Sequence, residues 1–158
     1  MVGHACVDRA PLDAILTRHP AREPSLIAIL QDVQRAYHYL PCEVLGGVAE
    51  ALHVPLARVF SVATFYRAFA HTPQGKTILR VCTGTACHIR GAGQVLDEFA
   101  RQLRIRPGET TADLGFTLQT VNCVGACALA PVVLVGAHYH GHAKASRVAN
   151  LLNGGEGR

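Results

Sequence analysis

Three stretches in the first half of the chain repeat apolar residues at helical spacing. Leu26, Ile29, Leu30, Val33 and Tyr37 recur every three or four positions, with Gln31, Asp32 and Arg35 between them. Glu23-Pro24-Ser25 ahead of them supplies N-terminal helix chemistry, so this stretch predicts an amphipathic helix. Pro41 is suited to open a second helix, running to about His53 with Val44, Leu45, Val48 and Leu52 on one side. Gly46-Gly47 lowers the intrinsic stability of that helix by about 1 kcal/mol per glycine. A third helix is expected from near Pro55, its turns carrying Val59, Phe60, Val62, Phe65 and Phe69. Helices of this kind bury one another's apolar stripes, which predicts a small helical bundle over residues 23–72. Residues 1–22 carry only a short helical hint at Leu12, Ile15 and Leu16 and are expected to be an N-terminal extension or a short helix.

The period changes after His71-Thr72-Pro73-Gln74-Gly75-Lys76, a turn punctuated by proline and glycine, where a domain boundary is expected. Thr77 to Cys82 has the β-branched and apolar residues of a strand, and Cys87 is expected in the loop that follows. Gly91-Ala92-Gly93 leads into a helix whose core face is Val95, Leu96, Phe99 and Leu103, closed before Pro107-Gly108. After the polar loop Glu109 to Gly115, Phe116 to Asn122 reads as a second strand and Pro131 to Val135 as a buried third. His138 to Gly141 is expected to return antiparallel as a fourth strand, and Lys144 to Leu152 to be a helix against the sheet. The order β, α, β, β, β, α over residues 76–155 predicts an α/β sheet with helices packed on it, the plan of a thioredoxin fold.

Composition excludes some classes of function. At 158 residues and 49% hydrophobic, the chain can bury one real core or two small ones. Its longest apolar runs fall short of the roughly 20 residues of a membrane helix. No basic region followed by a long apolar stretch opens the sequence, so the expectation is a cytoplasmic protein without membrane insertion, or one on the cytoplasmic side of a membrane-bound complex. A formal charge of +4 with nine histidines is mildly basic, yet the arginines are spread along the chain and aromatics make up only 6%. That is the pattern of a solvated surface, and no nucleic-acid partner is expected.

The candidate chemistry lies in the cysteines. Four of the six form two close pairs, Cys82 with Cys87 and Cys123 with Cys127, each placed where a predicted strand stops. In a reducing compartment such clusters are metal ligands or catalytic groups rather than disulfides. The residues between them are small: Thr, Gly, Thr and Ala in the first pair, Val, Gly and Ala in the second. Small residues let the backbone curl until two sulfurs converge, and glycines bring backbone N–H groups within reach of sulfide or thiolate sulfur. Four thiolates suit either zinc or an iron–sulfur cluster. Structural zinc sites favour two residues between paired cysteines, and the looser spacings of four and three here favour a [2Fe–2S] rhomb in which each pair takes one iron. Both remain open on spacing alone, the zinc version being a protein-binding module without redox activity. A thiol enzyme ranks third, because no Cys-X-X-Cys occurs. Cys6 and Cys42 have no close partner and are expected to be free thiols, Cys42 buried as a small apolar residue at a helix start. His88 is expected to be a surface histidine beside the site, and His138, His140 and His142 an exposed strand edge rather than a metal site.

Val-Cys-Thr-Gly-Thr-Ala-Cys-His-Ile-Arg-Gly-Ala at 81–92 and Val-Asn-Cys-Val-Gly-Ala-Cys-Ala-Leu-Ala-Pro-Val-Val at 121–133 resemble the thioredoxin-like [2Fe–2S] ferredoxin family. Its members include the small iron–sulfur subunits of the NADH-oxidising module of complex I, of NAD-linked and bifurcating hydrogenases, and of some formate dehydrogenases. Leu40-Pro41 and Val62-Ala63-Thr64-Phe65-Tyr66 extend the resemblance into the helical half, over about residues 24–152. The resemblance implies a helical bundle followed by a thioredoxin-like α/β domain, with Cys82 and Cys87 on one iron and Cys123 and Cys127 on the other. It implies an FMN/NADH-binding flavoprotein partner and further iron–sulfur subunits in a hetero-oligomeric complex. Gly91-Ala92-Gly93 lacks the third glycine of a dinucleotide motif and does not directly follow a strand, so hydride chemistry belongs to the partner. On this reading the chain alone has no substrate site, and it stores or passes single electrons.

Overall fold

The computed structural model describes residues 7–153. Cys6 and the last residues of the expected second domain lie outside the described residues. The chain divides into two compact units with the break between Pro73 and Gln74.

The first unit is helical: α1 (Ala10–Leu16), α2 (Leu26–Tyr37), α3 (Cys42–Leu52) and α4 (Leu56–Phe65). Each helix has a sequence reason for its ends. Pro41 and Pro55 sit immediately ahead of α3 and α4 in extended backbone, and His38 and His53 close α2 and α3 in the left-handed conformation. Ile29, Leu30 and Val33 of α2, Val44, Leu45 and Val48 of α3, and Val59 and Ala63 of α4 are buried in one apolar cluster. Leu12 and Ile15 of α1 join it, so the expected N-terminal extension contributes to this core. Tyr37 ties it in further, its hydroxyl accepting from Leu12 N–H at 3.2 Å and donating to the Asp8 carbonyl at 2.6 Å.

Two expectations for this unit change. Helix α4 stops at Phe65, and Phe69 is buried from the turn beyond it. Phe65 is 77% exposed, because two residues advance the helix by about 200° and carry it away from the inward face of Ala63. Cys42 is exposed rather than buried: α3 turns Val44, Leu45 and Val48 inward, and its first residue falls outside that stripe.

The second unit is a four-stranded sheet in the order β2-β1-β3-β4, with β1 (Thr77–Cys82), β2 (Phe116–Val121), β3 (Val133–Val135) and β4 (His138–His140). Strands β1 and β2 run parallel, with Cys82 opposite Val121, while β3 pairs antiparallel with both β1 and β4. The parallel pair requires a crossover, which α6 (Ala92–Leu103) supplies. Its Val95 and Phe99 are buried with Leu79 and Val81 of β1, Leu118 of β2, and Val148 and Leu151 of α7 (Val148–Leu152). Burial of a side chain the size of Phe99 contributes about 1.5–3 kcal/mol. The architecture is the expected α/β plan. Cys87, placed in a loop by sequence, lies instead on a short helix, α5 (Thr85–Ile89), because Thr85-Ala86-Cys87 has no helix breaker after Gly84. His138 and His140 lie on β4 at the sheet edge, and His142, beyond the strand end at φ 50°, leaves the alternation.

A candidate four-thiol metal centre

Cys82 is the last residue of β1, and Cys123 comes two residues after the end of β2, its parallel neighbour. Parallel strands present the same ends side by side, so this pairing brings the two cysteine segments together. Thr83 locks the junction by donating to the Val121 carbonyl twice, from its N–H at 2.8 Å and its hydroxyl at 3.2 Å. From the other side, Cys82 N–H donates to Val132 O at 3.0 Å. The turn of α5 then carries Cys87 back toward Cys82, and the single turn Cys127–Leu129 carries Cys127 back toward Cys123.

Backbone approach between the segments is tight. A Cβ on Gly84 would lie 2.5 Å from the Asn122 carbonyl oxygen and 3.5 Å from Cys123 Cβ, so only glycine lets the first segment cross the second. Gly125 has φ +79°, and its N–H donates to Cys123 Sγ at 3.3 Å. The small residues between the cysteines thus make room for the crossing and point N–H groups at sulfur.

The four thiols form a chain of contacts. Cys82 interacts with both Cys87 and Cys123, and Cys123 in turn with Cys127. Burial opposes ionisation of Cys82, but the N–H groups of Gly84 and Val124 and the neighbouring thiols stabilise its thiolate and bring its pKa below the ordinary thiol value. Burial raises Cys87 against the opposing N–H of Val132, and the hydrogen bond and charge of Cys82 add to the rise. The hydrogen bond and charge of Cys123 push Cys127 up in the same way. Neighbouring sulfurs that cannot all ionise together are the donor set a cationic centre relieves, because the metal binds thiolates and displaces their protons. Four thiols in two neighbouring pairs have the donor number and type that an iron–sulfur cluster takes, and that zinc takes equally. Cys42 and the histidines take no part in these contacts, and His88 is exposed on α5.

The sulfurs differ in access. Cys82 and Cys87 are each 2% exposed and belong to the core of the unit, whereas Cys123 and Cys127 are exposed. Sequence reasoning missed this inequality, and it missed the crossing at Gly84.

Sheet and thiols together define a thioredoxin-like carrier of a thiolate-bound metal centre. The family model described as thioredoxin-like [2Fe–2S] ferredoxin matches residues 12–156. The NADP-reducing hydrogenase subunit HndA of Solidesulfovibrio fructosivorans is 42% identical over 133 residues, covering 84% of this chain and 78% of that one. An NADH-quinone oxidoreductase subunit of Rhizobium meliloti (strain 1021) is 40% identical over 144 residues, covering 91% and 86%. A solved NAD+-reducing [NiFe]-hydrogenase chain superposes with a TM-score of 0.71 at 23% identity. That match covers 84% of this chain and only 23% of the hydrogenase chain, and it reports the shared fold. The chain belongs to the thioredoxin-like [2Fe–2S] ferredoxin family, and its cofactor is the [2Fe–2S] cluster of that family. No described helix is long and apolar enough to cross a membrane.

Proposed function

We propose that this protein is the electron-carrying subunit of a multisubunit NAD(P)(H)-linked oxidoreductase, of the complex I or NAD-linked hydrogenase type. In this reading Cys82 and Cys87 hold one iron, Cys123 and Cys127 hold the other, and the chain exchanges electrons with an FMN/NADH-binding subunit. When bound, the [2Fe–2S] cluster supplies a centre that takes up and gives back one electron at a time. The chain's own residues hold that centre and set its surroundings. The N–H groups of Gly84, Val124 and Gly125 donate to sulfur and disperse its negative charge. Cys82 and Cys87 keep one side of the cradle dry within the apolar core.

The observation that carries the reading is the meeting of two cysteine pairs at the ends of two parallel strands, in a chain 42% and 40% identical to a hydrogenase subunit and an NADH-quinone oxidoreductase subunit. The subunit names of those relatives support the hetero-oligomeric setting, and a cytoplasmic location is part of the proposal. Anaerobically prepared protein is expected to contain two irons and two sulfides per chain and, after dithionite, to give the half-spin resonance of a reduced diiron centre. NADH alone is expected to leave its visible absorption unchanged, and NADH with the flavoprotein subunit to bleach it. Colourless protein holding a single zinc would instead establish a structural module and end the electron-carrier reading.

A further inference from the structure

Each proposed ligand pair is followed, two residues after its second cysteine, by an exposed apolar side chain. Ile89 ends α5 and is 79% exposed, while Leu129 ends the turn after Cys127 and is 45% exposed. Arg90 joins the two, its Nη1 donating to the Ala130 carbonyl at 3.4 Å and bringing the segment after Cys87 against the segment after Cys127. Arg90 is itself exposed and has no carboxylate partner among the described residues. The segments that build this face, residues 83–91, 121–130 and 138–147, contain no aspartate or glutamate at all. The exposed thiols Cys123 and Cys127 belong to the second of these segments.

We infer that this face, with Ile89 and Leu129 at its centre and Arg90 between them, is where the electron partner docks, and that the partner presents an apolar patch flanked by a carboxylate. The inference rests on the electron-carrier reading above. Exposed apolar residues beside an arginine without a carboxylate partner have the make-up of an interface centre, which is apolar and enriched in arginine but depleted of aspartate and glutamate. Electron exchange also falls with distance, and this is the side on which two of the proposed ligands are not covered by the protein's own core. A second copy of the chain is a poor occupant: a symmetric contact would set Arg90 against Arg90 with no carboxylate nearby.

The test uses the cluster-loaded chain and the purified FMN/NADH-binding subunit of the same complex. The double variant Ile89→Glu, Leu129→Glu is expected to raise the Kd for that subunit at least tenfold and to slow NADH-driven bleaching, with iron content and absorption spectrum unchanged. Arg90→Glu is expected to reverse the salt dependence: wild-type binding weakens with added salt as attraction is screened, and the variant's strengthens as repulsion is screened. Arg90→Lys should stay near wild type. Should the double variant not fold, the charge series at Arg90 decides alone. Unchanged Kd and salt dependence in all three variants, with NADH still reducing the wild-type chain, would overturn the docking face alone. The same holds if Phe65→Glu in the helical unit raises the Kd tenfold while Ile89→Glu, Leu129→Glu leaves it unchanged. Failure of NADH and the flavoprotein to bleach the wild-type chain would overturn the electron-carrier reading and this face with it.

Discussion

Two strand ends in the α/β unit each deliver a pair of cysteines, and they treat those pairs in opposite ways. The segment after β1 folds at once into α5 and buries Cys82 and Cys87 among Val95, Phe99 and Val132. The segment after β2 runs over the surface through Gly125 and leaves Cys123 and Cys127 exposed. One pair is therefore part of the hydrophobic core as well as of the candidate centre, and the other belongs to the centre alone. The contrast teaches that a metal cradle can be anchored from one side and read out from the other.

Substitution of the cysteines tests this contrast most severely. Cys82→Ser and Cys87→Ser are each expected to abolish the visible absorption. They should also destabilise the metal-free protein by about 1–3 kcal/mol, because a hydroxyl replaces a buried thiol that packs as an apolar group. Cys123→Ser and Cys127→Ser should weaken or abolish the absorption while leaving the thermal midpoint of the metal-free protein within error. Equal midpoints for all four variants would show that burial of the first pair does not matter.

The glycines sharpen the same comparison at lower amplitude. Gly84→Ala sets a methyl group against the Asn122 carbonyl, which is backbone and cannot swing aside, so a loss of about 1–3 kcal/mol in denaturant titrations is expected. Gly125→Ala meets nothing within 4 Å but must hold φ +79°, at a cost of about 1–2 kcal/mol. The first change should also lower cluster content, since it forces the two segments apart.

Smaller effects come from the helical unit and serve as a reference. Asp32 accepts from His19 Nε2 at 2.9 Å and from Arg35 Nη1 at 2.7 Å. The hydrogen bond from His19, with the charges of Arg18 and Arg35, holds its carboxyl below the ordinary aspartate value. A depressed folded-state pKa contributes stability that is present above about pH 4, where the unfolded carboxylate is ionised, and lost as the pH falls through the lower folded value. Asp32→Asn should therefore cost ~0.5–1 kcal/mol at neutral pH, with the difference from wild type vanishing in acid. The urea midpoint measured from pH 7 down to pH 3 checks the sign. Cys42→Ser should change neither absorption nor stability, because the side chain is exposed and takes no part in the thiol contacts. Bleaching by this variant would show that the ligand set proposed here is wrong.

Much of the architecture follows from periodicity alone. Spacings of three and four around Ile29, Val33, Val44 and Val48 mark the helices, and the apolar runs at Thr77 to Cys82 and Pro131 to Val135 mark strands at the middle of the sheet. The pairing of the cysteines and the smallness of the residues between them by themselves point to a sulfur-ligated centre. Local pattern has this reach because helix and strand are set by which side chains must leave water, a property of residue type and spacing. Access is another matter. Cys82 and Cys123 have the same chemistry and similar small neighbours, yet only the packing of α6 and β3 decides which of them is covered. The clash that reserves position 84 for glycine involves Asn122, thirty-eight residues away in sequence, and the bond from Arg90 to Ala130 spans forty. Such contacts depend on the register of β1 against β2 and on the path of the chain around the sheet, which no window of sequence contains.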